Sequence, residues 1–160
     1  MADYLLPISD RDALSWIVAE QRTAVGAHRR REAEALEPGD RLFLYTTRGC
    51  FRNPTRDRGR VIGVARVTRA ARVNDKPVRF GDREYPVEFR FAIQSLAPRR
   101  EGVELVQLLD RLESFPKRNA WSAYLRRALV PLSPLDGIVI ADALEGIARA
   151  YRDTSATYAS

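Results

Sequence analysis

The stretch EPGDRLFLYTTRGCFRNPTRDRGRVIGVARVT, residues 37–68, decides the fold of this chain. A Pro-Gly-Asp turn signal at residues 38–40 precedes an aromatic-rich apolar run, residues 41–47, which fits a strand buried on both faces. A second strand is expected at residues 61–73, where Gly63 indicates a bulge or a close backbone approach. The loop between these strands contains Phe51, Asn53, Arg48, Arg52, Arg56, Arg58 and Arg60. We therefore expect a two-stranded element that presents a loop of cations with one aromatic ring.

Length and composition indicate one globular domain. The chain has 160 residues, of which 45% are hydrophobic, enough for a single substantial core. We expect this domain to cover residues 1–152 and a loose tail to cover residues 153–160. The chain has no run near the ~20 apolar residues of a membrane span and no secretory signal pattern. Its one cysteine, Cys50, excludes an internal disulfide and a cysteine-based metal site, so a cytoplasmic location is expected.

The charge of the chain is strongly basic and is carried by arginine. The net charge is +6, and Lys76 and Lys117 are the only two lysines. Guanidinium groups bind phosphates bidentately and stack on bases, which suits a nucleic-acid partner. An arginine-rich proteome would give the same bias, but the clustering between residues 48 and 60 favours a polyanionic partner.

The first third of the chain predicts a strand followed by a capped helix. Residues 4–8 form a short strand in which Pro7 indicates an edge or a strand end. Ser9 is expected to cap the helix with Asp12 at the third helical position. An apolar stripe at helical spacing then continues until Gly26 stops the helix.

The middle of the chain contains the clearest periodicity. Apolar and polar residues alternate over residues 85–94, which predicts a strand with one buried and one solvated face. Glu88 and Arg90 share the solvated face, where they would form an exposed ion pair of little energetic consequence. Residues 69–83 contain two turn signals and are expected to be a polar connection.

The last third predicts helices packed against this sheet. Helical segments are expected at residues 103–112, 120–128 and 135–152, with residues 130–134 as a loop in which Ser133 caps the last helix. The fold class is therefore α+β, a curled mixed β-barrel of five or six strands with helices packed at its ends.

The order of these parts resembles a known family. The carrying features are the Pro-Gly-Asp turn before a strand that ends Tyr-Thr-Thr, the glycine-containing strand at residues 62–67, the segment KRNAWSAYLR at residues 117–126, and the Val-Pro-Leu-Ser sequence at residues 130–133. Together they resemble an EVE domain, a branch of the PUA-like superfamily related to the YTH and ASCH domains. The resemblance covers nearly the whole chain, from about residue 4 to residue 143.

The resemblance implies a non-catalytic reader without a cofactor or a metal. In the family, a pocket between the barrel and the helices accepts a flipped modified base, such as a methylated or hydroxymethylated cytosine or a methylated adenine, from DNA or RNA. By motif position, the base pocket would be formed by Ser9, Trp16, Tyr45, Thr46, Thr47, Asn119 and Trp121. The phosphates around it would be held by Arg48, Arg52, Arg56, Lys117 and Arg118.

Simpler roles stand beside each of these assignments. Trp16 and Trp121 could pack as core residues, Ser9 could be only a helix cap, and Tyr45 could point inward. Strand alternation puts only one of the two threonines, 46 and 47, on the pocket face.

Two other functions remain open from the sequence. One is an ASCH-like enzyme that acts on a nucleic acid or a small amide in the same cleft. It would use Lys117, Glu88, Asp82 and Tyr45. The other is a protein-interaction module whose arginine loop meets an acidic partner.

Overall fold

The computed structural model describes residues 1–53, 56–115 and 118–159, without the side chains of residues 118–120. The strands are β1 (Asp3–Ile8), β2 (Arg22–Val25), β3 (Arg41–Thr46), β4 (Arg60–Phe80), β5 (Arg83–Leu96), β6 (Val103–Glu104), β7 (Val130–Leu132) and β8 (Arg149–Ala150). The α-helices are α1 (Arg11–Glu20), α2 (Arg30–Glu34), α3 (Pro134–Leu144) and α4 (Tyr151–Thr154). The 3₁₀ helices are Ala27–Arg29, Leu105–Arg111, Arg118–Arg126 and Ser155–Tyr158.

One mixed sheet organises these elements. Its main path runs β2-β5-β4-β3-β1-β7, and the two-residue strands β6 and β8 pair with β4 and β5. The pair β1–β3 is parallel, whereas the other pairs are antiparallel. Six principal strands and surrounding helices confirm the α+β class, and the described pairings leave β2 and β7 as the open ends of the path.

Strand β3 lies between two hydrophobic cores, as its unbroken apolar sequence predicts. Leu42 and Leu44 belong to the core that faces α1, whereas Phe43 and Tyr45 belong to the core that faces α3. Alternate side chains of a strand point to opposite faces, so a strand covered on both faces needs apolar residues at every position. The solvent-protected centre of the sheet therefore coincides with the apolar run at residues 41–47.

Helix α1 begins one residue later and ends earlier than the sequence pattern predicts. Its N-cap is Asp10, whose carboxylate accepts hydrogen bonds from the backbone N–H groups of Asp12 (2.7 Å) and Ala13 (3.5 Å), so the prediction that Ser9 caps the helix is wrong. The helix ends at Glu20 because Gln21 adopts a left-handed conformation with φ of 52°. The residues up to Gly26, predicted as helix, instead form β2.

The segment predicted as a polar connection is the outer half of a long hairpin. Strands β4 and β5 pair as far as Phe80 and Arg83, and only the Gly81-Asp82 turn signal is a hairpin turn. Several register shifts interrupt the ladder, including one between Val73 and Val78. Bulges of this kind bend a strand, and the polar composition reflects the exposed face of the hairpin rather than a loop.

The buried carboxylate of Glu88 holds the outer half of the hairpin in place, although the sequence pattern predicts Glu88 on the solvated face. Glu88 is 2% exposed and pairs with Arg22 at 3.2 Å, while the side-chain amide of Asn74 donates a hydrogen bond to it at 2.8 Å. Burial alone would raise the pKa of Glu88, but the hydrogen bonds from Asn74 and Arg22 outweigh it and lower the pKa. Arg90 also lies 3.3 Å from Glu88, so the predicted exposed pair is in fact part of a buried network.

The C-terminal third is more broken than the predicted helices. Residues 103–112 form β6 and a 3₁₀ helix, and residues 130–132 form a strand beside β1 rather than a loop. Ser133 caps α3 as predicted, its hydroxyl accepting from the Asp136 N–H at 3.1 Å, but α3 ends at Leu144.

Residues 153–158 form helical turns packed on the domain, which corrects the prediction of a loose tail for this segment. Thr154 and Tyr158 are buried, and their hydroxyls donate hydrogen bonds to the carbonyls of Leu96 (2.8 Å) and Ala97 (2.6 Å). Because these residues donate hydrogen bonds to carbonyl groups at the end of β5, they are part of the folded domain.

Candidate nucleic-acid interface

The floor of the candidate site is Tyr45, at the end of β3. The register between β3 and β4 shifts at Leu44/Tyr45, so Tyr45 pairs with Val61 and Ile62 is skipped. Such bulges re-aim side chains. Tyr45 is 1% exposed, and burial raises the pKa of its hydroxyl to about 12, against the opposing effect of Arg48. The hydroxyl therefore stays protonated at neutral pH and can donate a hydrogen bond.

The wall of the site is the 3₁₀ helix Arg118–Arg126. Trp121 and Leu125 pack against the core that contains Tyr45 and also line the cavity above it. The cavity has a volume of about 370 Å³, within the range of about 300–1,000 Å³ for small-molecule sites. Its lining is Tyr45, Thr47, Arg48, Gly49, Trp121, Ser122, Leu125 and Arg126. We call this cavity the aromatic pocket.

The polar groups of the aromatic pocket are hydroxyls and guanidinium groups. Thr47 and Ser122 supply hydroxyls that can donate or accept, and Arg48 and Arg126 supply positive charge at exposed positions. No carboxylate is among the described residues that line it. An aromatic floor and wall with a cationic mouth can hold a flat, polar ring attached to an anion.

Several residues predicted for the base pocket do meet here. Tyr45, Thr47 and Trp121 line one cavity although Trp121 is 74 or more positions from the other two, and Arg48 stands at its mouth. The core role considered for Trp121 and the pocket role are both present, because its ring packs on the core while it lines the cavity.

Three predicted pocket residues lie elsewhere. Thr46 is buried on the opposite face of β3, where its hydroxyl is 3.4 Å from the Arg60 carbonyl. Trp16 packs edge-on against Phe80 at 5.4 Å, at the tip of the β4–β5 hairpin. Ser9 lines a neighbouring groove rather than the aromatic pocket. Thr46 lies outside the pocket because successive side chains of a strand point to opposite faces. Trp16 lies outside it because its ring packs against Phe80, which is 64 positions later in the chain.

The remaining predicted residues are exposed or lie outside the described part of the chain. Lys117 lies outside the described residues, and the side chains of Arg118 and Asn119 are not described. Arg56 is exposed. Arg52 is exposed too and lies 3.5 Å from the carboxylate of Asp12, a weak surface pair.

The aromatic pocket also contains residues that the sequence motifs did not indicate. These are Gly49, Ser122, Leu125 and Arg126. Leu125 could have been found, because it follows Trp121 by four positions on a helical segment and so shares its face.

The arginine-rich loop is anchored rather than freely held out. The guanidinium groups of Arg99 and Arg100 lie over the ring of Phe51 at 5.6 and 5.2 Å. Arg100 also pairs with the buried carboxylate of Asp57 at 2.9 Å. The loop that carries Arg48 is therefore fixed at two of its residues, by cation–π contacts at Phe51 and by an ion pair at Asp57.

The thiol of Cys50, a residue of this loop, is buried and is expected to be unreactive. Burial, followed by the nearby Asp10 carboxylate, raises the pKa of the Cys50 thiol to about 12. At pH 8 only about one thiol in ten thousand would be ionised, and the thiolate is the reactive form. We expect no reaction of the native protein with Ellman's reagent and full reaction in denaturant. Rapid modification of the native protein would show that the loop opens.

Other site types receive no support within the described ranges. The described residues contain no cluster of three or more histidine, cysteine, aspartate or glutamate side chains that could hold a metal ion. Glu88 and Asp82, considered for an enzymatic site, do not line the aromatic pocket with Tyr45. Among the described helices, none combines the length and the hydrophobicity needed to cross a membrane.

Comparison with known proteins gives matches in structure. No protein-family model matches the sequence, and no curated protein matches it at a significant level. A protein from Pseudomonas putida superposes with a TM-score of 0.60 at 21% identity, covering 88% of this chain and 98% of the other. The DUF55 domain of human thymocyte nuclear protein 1 superposes with a TM-score of 0.57 at 11% identity, covering 90% and 99%.

One of the similar structures contains DNA. It is that of the human THYN1 protein in complex with DNA containing 5-methylcytosine, with a TM-score of 0.54 at 12% identity, covering 88% of this chain and 96% of the other. Matches of this coverage at such low identity show a shared fold. The chain therefore has the fold of the DUF55 domain of human thymocyte nuclear protein 1, which agrees with the EVE-domain fold that the order of its sequence motifs predicts.

Proposed function

We propose that this protein is a nucleic-acid-binding reader that accepts a modified base in the aromatic pocket and performs no chemistry on it. The observation that carries the proposal is the pocket itself, in which a buried tyrosine, a tryptophan and a leucine face hydroxyl and guanidinium groups without a lining carboxylate. The complex of the structurally similar human THYN1 protein with 5-methylcytosine DNA supports a nucleic-acid ligand.

The physical basis of the reading is stacking combined with edge recognition. Moving a base out of a duplex costs a few kcal/mol, and stacking on an aromatic side chain recovers about 1–3 kcal/mol per base. A methyl group on the base adds apolar surface that Trp121 and Leu125 can cover, since both line the aromatic pocket. Thr47, Ser122 and the Tyr45 hydroxyl are the groups proposed to hydrogen-bond the base edge.

The phosphates would be held by cations around the mouth of the aromatic pocket. Arg48 and Arg126 line the pocket itself. Arg52, Arg56, Lys117 and Arg118, which the resemblance assigns to the phosphates, are proposed as further phosphate contacts. Asn119 is proposed as an additional edge-reading group because it belongs to the segment, residues 117–126, that carries the resemblance to the EVE domains. Binding through these contacts would weaken as salt increases.

The test is a binding panel read by tryptophan fluorescence. Short DNA and RNA oligonucleotides with plain cytosine, 5-methylcytosine, 5-hydroxymethylcytosine, adenine or N6-methyladenine would be titrated at two salt concentrations. We expect one modified base to bind at least tenfold more tightly than its plain counterpart, about 1.4 kcal/mol. Equal binding of every oligonucleotide would overturn the reader and leave a general polyanion-binding surface.

The two tryptophans provide a matched control. Trp121 lines the aromatic pocket, whereas Trp16 packs on Phe80 outside it. W121A is expected to lose the base preference, and its fluorescence change on binding should disappear. W16F keeps an aromatic ring at the remote site and should keep both. Loss of the preference in W16F but not in W121A would place the base elsewhere.

A further inference from the structure

A second cavity continues from the aromatic pocket and shares Thr47, Leu125 and Arg126 with it. Its volume is about 520 Å³, larger than the pocket. From the shared residues it runs past Ser9 to the tip of the β4–β5 hairpin, where Arg83 and Tyr85 line it. We call it the flanking groove. Besides the shared residues, its lining comes from Pro7 and Ser9 at the end of β1, from β2 and the 3₁₀ helix that follows it, from the hairpin tip, and from Arg127 and Ala128.

The flanking groove is cationic. Arg83, Arg126 and Arg127 are exposed along it and form no ion pair with any other described residue. Arg29 also lines it but is engaged, since it pairs with Glu32 at 2.9 Å and donates to the Arg126 carbonyl at 2.7 Å. None of the described lining residues is acidic. Three guanidinium groups without an ion pair among the described residues make this groove attractive to a polyanion.

The far end of the flanking groove presents a supported aromatic ring. Tyr85 is half-buried and lies 6.0 Å from Phe80, which in turn packs edge-on against Trp16 at 5.4 Å. The guanidinium carbon of Arg22 lies 5.0 Å from the centre of the Trp16 ring. This chain of contacts fixes the hairpin tip on α1, so the ring of Tyr85 is held at the groove without having to be ordered by a ligand. A fixed ring next to cations is the arrangement on which successive bases of a single strand stack.

We propose that the flanking groove holds the single-stranded nucleotides on one side of the base in the aromatic pocket. Arg83, Arg126 and Arg127 contact their phosphates, and Tyr85 stacks on one of their bases. This inference rests on the proposed function, because the strand enters the flanking groove from the aromatic pocket. An acidic peptide would use the arginines but would gain nothing from the ring of Tyr85, so the combination favours nucleic acid.

The proposal predicts a polarity that can be measured. Each modified base of the panel would be placed in single-stranded DNA and RNA as a dinucleotide, or with about eight further nucleotides on its 5′ side alone or its 3′ side alone. We expect one of the two extensions, and not the other, to tighten binding at least about tenfold. Equal gains from both extensions, or no gain from either, would overturn the proposal.

Variants assign the gain to the flanking groove. The double variant R83A/R127A should remove most of the gain and lower the slope of log affinity against log salt by about 0.7 for each phosphate that is no longer neutralised. It should leave dinucleotide binding unchanged. R72A is the matched charge control, since Arg72 is exposed on β4 and does not line the groove. A full gain in R83A/R127A, or an equal loss in R72A, would contradict the assignment.

The role of Tyr85 is separated from folding by two substitutions. Y85F keeps the ring and should keep the gain, whereas Y85A should lose about tenfold of it. Circular dichroism and denaturation of both variants would check that the hairpin tip stays folded. Equal binding by Y85A and wild type would overturn the stacking contact. Different results would contradict the two proposals. Dinucleotides that bind without any base preference would contradict the proposed function. A base preference without a gain from one extension alone would contradict only the proposed role of the flanking groove.

Discussion

Replacing Gly59 with alanine is expected to destabilise the protein by about 2–3 kcal/mol and to distort the aromatic pocket. A Cβ atom at this position would lie 1.7 Å from the hydroxyl oxygen of Tyr45 and 2.5 Å from its Cζ. Neither side can yield easily. Tyr45 is 1% exposed, and the Gly59 carbonyl accepts a hydrogen bond from the Leu105 N–H at 3.1 Å. The displaced ring is the floor of the pocket, so base binding should weaken as well.

Chemical denaturation and oligonucleotide binding would measure the two effects of G59A. G49A is the matched control, because Gly49 is in the same loop and lines the same pocket, but a methyl group added there would have no atom within 4 Å. Its stability should stay within about 0.5 kcal/mol of the wild type. Y45F should relieve G59A only in part, since removing the hydroxyl leaves the contact with Cζ. Equal stability of G59A and G49A would show that Tyr45 does not close against Gly59.

Replacing Gly137 with alanine is expected to destabilise the protein by about 3–5 kcal/mol. This sign opposes the general rule, because glycine to alanine within a helix usually stabilises by about 1 kcal/mol. Here the new Cβ would lie 2.1 Å from Asp3 Oδ2 and 2.7 Å from Arg41 Nη2. Asp3 and Arg41 form a bidentate pair with distances of 2.8 and 3.0 Å, and their side chains are 6% and 17% exposed. The methyl group would push apart a buried ion pair that joins β1 to β3.

A thermal or denaturant midpoint would test G137A against G146A. Gly146 follows the same helix and has no atom within 4 Å of an added methyl group, so G146A should be nearly neutral. D3A removes the carboxylate that the methyl group meets. Adding G137A to D3A should therefore cost much less than adding it to the wild type, a coupling that a double-mutant cycle would detect. Stabilisation by G137A would contradict the placement of Asp3 and Arg41 beneath α3.

Several residues of the aromatic pocket could be predicted because local patterns, strand alternation and helical spacing, govern their positions. Tyr45 lies near the end of β3 and Thr47 directly follows the strand, so continued alternation predicts both on the same face, and both line the pocket. Trp121 belongs to the segment, residues 117–126, that carries the resemblance to the EVE domains, and it lines the same cavity as Tyr45. What the sequence could not supply is the bulge between β3 and β4 that aims Tyr45, because a register shift depends on the partner strand.

The flanking groove could not be predicted for a related reason. Residues 69–83 have the polar composition of a loop, and only pairing with β5 turns them into a hairpin. The tip of that hairpin is then brought to α1 by Phe80 and Trp16. Because such contacts join residues far apart in the chain, no local pattern of either segment contains them.

By itself the sequence determined the elements whose local pattern is compatible with only one type of secondary structure. The run at residues 41–47 had to be buried on both faces, the alternation at residues 85–94 had to be a strand, and Ser133 had to cap the helix that follows it. Tertiary structure decided every feature that depends on a distant partner. Glu88 is buried only because Arg22 and Asn74 bind it, and a carboxylate without such partners would stay in water.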